Sequence, residues 1–236
     1  MKKKPLIVLA CTLAFLVLFG CTAQSDDGPD YADDEAMDII AKGWEKRIQK
    51  SNRLFGESDE FTMDDAEYVA KLKEVVQTEI DNDAPLKERQ FEDTKMQEDV
   101  LAYINALDES MTVLNTYAYG EEEYFTNWDK AYDQRTILLK KFHDDYGLTV
   151  SQTYQDDFDE LLKNGNAAKN ESDQKEAINN LIANATWEPI DDGYGYVTYT
   201  AVVENTSDYD FKDIGLNIGL YDSDDVRSES YAGAQS

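Results

Sequence analysis

VLAYINALDESMTVLNTYA, residues 100–118, decides the fold. Val100, Ile104, Leu107, Met111, Leu114 and Ala118 step alternately by four and three, a heptad seam that an α-helix gathers into one apolar stripe. A stripe of that length needs neighbours along its whole extent. The pattern therefore predicts the central helix of a bundle, from about Lys87 to Tyr117, with Gly120 ending it.

Matching faces lie on both sides. Upstream, Met37, Ile40, Trp44, Ile48 and Phe55 share one face of a helix that starts near Asp33 and stops at Gly56. A second follows Thr62, placed to cap with Asp65 three residues on; its face is Val69, Leu72, Val76 and Ile80, and it ends at Asn82-Asp83-Ala84, ahead of Pro85. Downstream, Glu121-Glu122-Glu123 suit the positive end of a helix dipole. The helix they open carries Phe125, Trp128, Tyr132, Leu139, Phe142 and Tyr146 and closes at Gly147. Ser151 reads as the cap of a short fifth helix with Tyr154, Phe158, Leu161 and Leu162, ended by Gly165, and a sixth runs from Ala167 or Asp173 to Ala185 through Ile178, Leu181 and Ile182. Short connections make successive helices antiparallel neighbours. The fold class is mainly α: a bundle of five to six helices over residues 32–186, followed by a small antiparallel β module over 187–236.

The β reading rests on a change of period. Trp187-Glu188-Pro189 reads as a linker and Asp191-Asp192-Gly193 as a turn; from Gly195 the alternation becomes two, with Val197, Tyr199, Ala201 and Val203 on one side. After a loop from Asn205 to Asp210, Ile214, Leu216, Ile218 and Leu220 line a second strand, and Val226 to Tyr231 offers a third beyond Asp222-Ser223-Asp224-Asp225. Val202-Val203-Glu204-Asn205 and Ile218-Gly219-Leu220-Tyr221-Asp222 resemble the first strand and the signature of the FxLYD domain, with Ile218 where the name-giving Phe would stand. That resemblance implies a sandwich-like interaction module of lipoproteins and secreted proteins of Gram-positive bacteria. Only 236 − 222 = 14 residues follow Asp222, so the expectation is an incomplete module with a partly exposed apolar face and disordered last residues, Ala232 to Ser236.

The N-terminus reads as an address. Lys2, Lys3 and Lys4 precede an uncharged apolar run from Leu6 to Phe19, the proportions of a secretory signal and shorter than the ~20 residues of a membrane span. Leu18-Phe19-Gly20-Cys21 resembles the lipobox of bacterial lipoproteins. The resemblance implies that residues 1–20 are removed, that Cys21 carries a diacylglycerol, and that residues 21–31 form a tether. Two acyl chains with about 30 buried methylenes at ~0.8 kcal/mol each amount to on the order of 20 kcal/mol, a lasting hold where a single chain is marginal.

Composition excludes several functions. The formal charge of −28 becomes −31 once three signal lysines leave, and such a chain is repelled by nucleic acid. With Cys11 in the signal and Cys21 lipidated, no internal disulfide remains. His143 is the single histidine and suits the C-terminal end of its helix; no Gly-x-Ser-x-Gly elbow accompanies it, and no glycine-rich phosphate loop follows a strand. Carboxylates are too abundant for any pair to mark a glycosidase. The acidic turns at Asp191-Asp192-Gly193 and at Asp222, Asp224 and Asp225 offer the oxygen donors calcium takes, without the twelve-residue loop spacing. Tyr117, Tyr119, Tyr124, Phe125, Trp128 and Tyr132 cluster around one helix turn, either as core or as a platform for a sugar or protein partner. No cofactor is implied. The expected function is a lipid-anchored, non-catalytic binding module on the extracytoplasmic face of a bacterial membrane, with an envelope protein or glycan as partner. The alternatives are an accessory component of a cell-wall enzyme or transport system, or a structural spacer.

Overall fold

The computed structural model describes residues 30–56, 63–191, 193–194, 197–221 and 227–235. Five α-helices come first: α1 (Asp33–Phe55), α2 (Asp65–Asp83), α3 (Thr94–Thr116), α4 (Glu122–Tyr146) and α5 (Gln155–Ala183). Each packs on its sequence neighbour, and short connections reverse the chain between them. The heptad seam is in the core: Val100, Ile104 and Leu107 are fully buried, Leu114 nearly so. Its two remaining members mark its limit, since Met111 is half-buried and Ala118 lies beyond the helix, exposed. The bundle closes across its first and last members, where Trp44 of α1 meets the ring of Phe158 of α5 edge-on at 5.1 Å.

Caps decide where the helices begin. Residue 62 lies outside the described residues, and α2 is capped by Asp64, whose carboxylate accepts from the Glu67 N–H at 2.8 Å. Thr94 opens α3 seven residues later than the seam alone predicts, because Pro85 sits in a 3-10 segment, Ala84–Glu88, and Asp93 then caps Lys95 and Met96. Gly147 ends α4 as expected, in the left-handed conformation at φ 73°. Asp33 locks the start of α1 to the start of α3: its two oxygens accept from the backbone N–H groups of Glu92 (2.9 Å) and Asp93 (2.8 Å).

Gly165 corrects the expected fifth and sixth helices. It does not end a helix; α5 runs through it unbroken for 29 residues. A Cβ there would lie 2.7 Å from the Thr136 carbonyl oxygen, so the missing side chain lets α5 approach the backbone of α4. The residue that reads as a stop is a contact.

The tail is antiparallel as expected but differs from the expected module in detail. Glu188–Asp191 (β1) pairs antiparallel with Val197–Thr200 (β2), so Glu188 and Pro189, read as part of a linker, lie in a strand, while Trp187 precedes it. Asp213–Tyr221 (β3) pairs antiparallel with Arg227–Gln235 (β4), Leu216 opposite Ala232 and Ile218 opposite Ser230. Each pair is its own two-stranded sheet. Ala232 to Gln235 are therefore paired rather than disordered, held by backbone partners in β3.

Candidate functional site

Two features stand out in the bundle, one polar and buried, one aromatic and open. The polar one is centred on Glu79 of α2, which is fully buried. Its Oε2 accepts from Arg47 Nη1 of α1 at 2.8 Å, its Oε1 from Arg135 Nη2 of α4 at 2.7 Å, and the Tyr103 hydroxyl of α3 donates to the same Oε1. The Arg135 guanidinium also lies 5.9 Å from the Tyr103 ring centroid. Burial by itself would raise the Glu79 carboxyl, but the two arginines outweigh it and hold the group at about 2.

Asp83, one turn on and also fully buried, has the opposite environment. Burial and the neighbouring Glu79 charge push its carboxyl up to about 8. Oδ1 accepts from Asn82 Nδ2 at 2.8 Å, while Oδ2 has no hydrogen-bond partner among the described residues. Gly43 of α1 is what makes room for it, since a Cβ there would sit 2.4 Å from Oδ1. These residues escape a sequence reading because single charges are common in this chain. The available signal was positional: Glu79 and Arg135 both fall on apolar faces, between Val76 and Ile80 and between Ala131 and Leu139. Glu79, Asp83, Tyr103 and Arg135 are buried and Arg47 is nearly so, and the cluster ties four helices together.

The aromatic feature lies where α1 ends, α2 begins and α3 turns into α4. Rings follow one another from Phe55 to Tyr68 (5.5 Å), Tyr119 (5.1 Å) and Tyr124 (5.2 Å), and from Tyr124 to a parallel Trp128 at 6.1 Å. Phe125 stands edge-on to both Tyr119 and Tyr124, at 5.8 and 5.3 Å. Tyr124 is the buried anchor, its hydroxyl pushed up to about 12 by burial. Tyr117, Tyr119 and Trp128 are half-buried, and Phe125 is 44 % exposed. The structure thus brings Tyr119, Tyr124, Phe125 and Trp128 together and adds Phe55 and Tyr68. Tyr132 points elsewhere, its hydroxyl accepting from Asn164 of α5.

Two open cavities lie elsewhere on the described residues. A groove of about 970 Å3 between α4 and α5 has Ala102, Ile137, Leu138 and Ala168 among its lining residues. It carries Asp129, Asp133 and Glu171 against Lys130 and Lys175. Burial, then Asp129 and Glu171, raise the Asp133 carboxyl. A smaller one, about 350 Å3, lies between the C-terminal half of α5 and the loop of Glu204 to Tyr209.

The other sequence candidates divide by position. Leu18, Phe19, Gly20 and Cys21 lie outside the described residues, as do Asp222, Asp224 and Asp225. Asp191 accepts from the Gly193 N–H at 2.8 Å, the turn its sequence announces. His143, in the last turn of α4, pairs with Asp144 at 3.0 Å beside the Phe158 ring. Among the described residues no group of three or more His, Cys, Asp or Glu side chains is arranged to hold a metal ion, and no helix is long and apolar enough to cross a membrane. Comparison with known protein families, curated proteins and solved structures finds no match.

Proposed function

We propose that this chain is a bacterial lipoprotein, held to the outer face of a membrane by a diacylglycerol on Cys21, whose helical bundle serves as a non-catalytic binding module. The observation that carries the anchor is Leu18-Phe19-Gly20-Cys21 behind a basic and apolar leader. Support for binding comes from the aromatic end: the rings pack on the last part of the seam, around Leu114, yet leave Phe125 exposed and Tyr119 and Trp128 only half-buried. The β tail, resembling an FxLYD domain, extends the same module. In a bacterial host fed labelled palmitate, the full chain is expected to take up label and to sediment with membranes, and the Cys21→Ser variant to remain an unlabelled, uncleaved precursor. Palmitate incorporation into that variant would overturn the anchor.

One observation favours a second reading, an accessory role in a wall-active or transport complex. The groove between α4 and α5 places a carboxyl of raised pKa, Asp133, beside Asp129 and Glu171. Loss of a wall-polymer or solute activity in Asp133→Asn, with anchoring unchanged, would favour that reading.

A further inference from the structure

The aromatic end is acidic as well as open. Glu121, Glu122 and Glu123 precede Phe125 at the start of α4, and all three are exposed. Glu121 is engaged locally, its Oε2 accepting from the Ala118 N–H at 3.2 Å; neither Glu122 nor Glu123 is in an ion pair among the described residues. Cations of α1 and α2 are engaged there: Lys71 with Glu67 of its own helix at 2.9 Å, Lys50 of α1 with Glu74 of α2 at 2.8 Å, and Arg53 of α1 close enough to Glu74 to help lower its carboxyl behind Lys50. Aromatic faces attract ammonium and guanidinium groups through their quadrupole, and carboxylates beside them add charge. A chain with a net charge of −28 repels acidic partners from the same place.

Within the bundle the aromatic rings are remote from the point where α1 begins. Tyr31 pairs with Gln90 and Asp33 is tied to the start of α3, whereas the rings sit at the other end of α1, 23 residues away, roughly 34 Å at 1.5 Å per residue.

We propose that the aromatic end of the bundle docks a lysine- or arginine-bearing segment of an envelope protein, with its cationic groups on the Phe125 and Tyr119 rings and against Glu122 and Glu123. The proposal rests on the reading of the bundle as a binding module and names its partner's chemistry.

The test uses the full chain in non-ionic detergent and three probes: a lysine-rich octapeptide, the same peptide with its lysines acetylated, and chitotetraose as a neutral glycan. The basic peptide is expected to bind and its acetylated form not to. Phe125→Ala and the pair Glu122→Gln with Glu123→Gln are each expected to weaken binding by about tenfold, or 1.4 kcal/mol. The pair Asp157→Asn with Glu160→Gln removes the same charge from exposed positions near the start of α5 and is expected to leave affinity unchanged. Equal weakening by both charge pairs would mean diffuse attraction and overturn the site, as would failure of the basic peptide to bind. Chitotetraose binding that Phe125→Ala abolishes and the glutamate pair does not would overturn the basic partner while sustaining the binding module. Melting curves confirm that each variant is folded, and palmitate labelling of Cys21 tests the anchor independently.

Discussion

Glu79 and Asp83 are successive turns of one helix, yet their surroundings drive them in opposite directions with pH. Glu79 is held at about 2 against an ordinary 4.5. Its contribution to stability is therefore complete above about 4.5 and is lost as pH falls toward 2. Asp83 is raised to about 8 from 3.8, so the folded chain keeps a proton that the unfolded chain releases. Its neutral form carries no penalty below about 4, and stability declines as pH climbs from there through 8. The charged groups acting on Asp83 are Lys46 of α1, Glu79 of α2 and Arg135 of α4; Glu79 reinforces the shift and the two cations moderate it. Asparagine reproduces the neutral carboxyl in shape. Asp83→Asn is expected to match the parent near pH 4 and to be more stable at pH 8 by on the order of 1–3 kcal/mol, the range for a buried group short of partners. Urea midpoints across pH 4–9 check this; parallel profiles for the two proteins would show that Asp83 is not the titrating group.

At the scale of elements, the contact between α4 and α5 depends on Gly165. With the Thr136 carbonyl 2.7 Å from where a Cβ would stand, the two backbones cannot keep their separation around a larger residue. Gly165→Val is expected to cost about 1–3 kcal/mol through overpacking, whereas a true helix-ending glycine would be sensitive to its φ instead. Denaturant unfolding measures the loss, and a stability within about 0.5 kcal/mol of the parent would contradict the close approach. The same residue explains why sequence reading divided α5 into two helices. Gly-Asn after a run of Leu, Leu, Lys and Asn is the local signature of a C-cap, and only the facing helix, absent from any local window, distinguishes a cap from a contact. By contrast, the bounds of α1, the end of α2 and the end of α4 were legible to within a residue or so, and at the last two Pro85 and Gly147 act on their own backbone.

For the whole molecule, stability is expected to be uneven. The bundle is closed by a continuous core running from Ala32 to Leu161, while the tail consists of two separate antiparallel pairs. Two strands without further partners are marginal in water. Native-state hydrogen exchange should therefore release the amides of Leu216, Ile218 and Leu220 in β3 before those of Val100, Ile104 and Leu107 in α3. Equal protection would mean that β3 shares the global unfolding of the bundle and that the two-stranded pairing understates its support.

The sequence alone determined the class of fold and the positions of most helices, since the heptad seam, glycine stops and dipole-matched carboxylates each act over a few residues. It also placed Tyr119, Tyr124 and Trp128 around one turn. Only the tertiary structure decided which of 72 charged residues (22 + 50) enter the core. Glu79, Arg47, Arg135 and Asp83 come from three helices, with Tyr103 from a fourth, and no local pattern records their meeting. It likewise decided which aromatic rings are anchors and which face solvent. Tyr124 and Phe125 are adjacent in the chain, but a helix turns about 100° per residue, so one enters the core and the other leaves it.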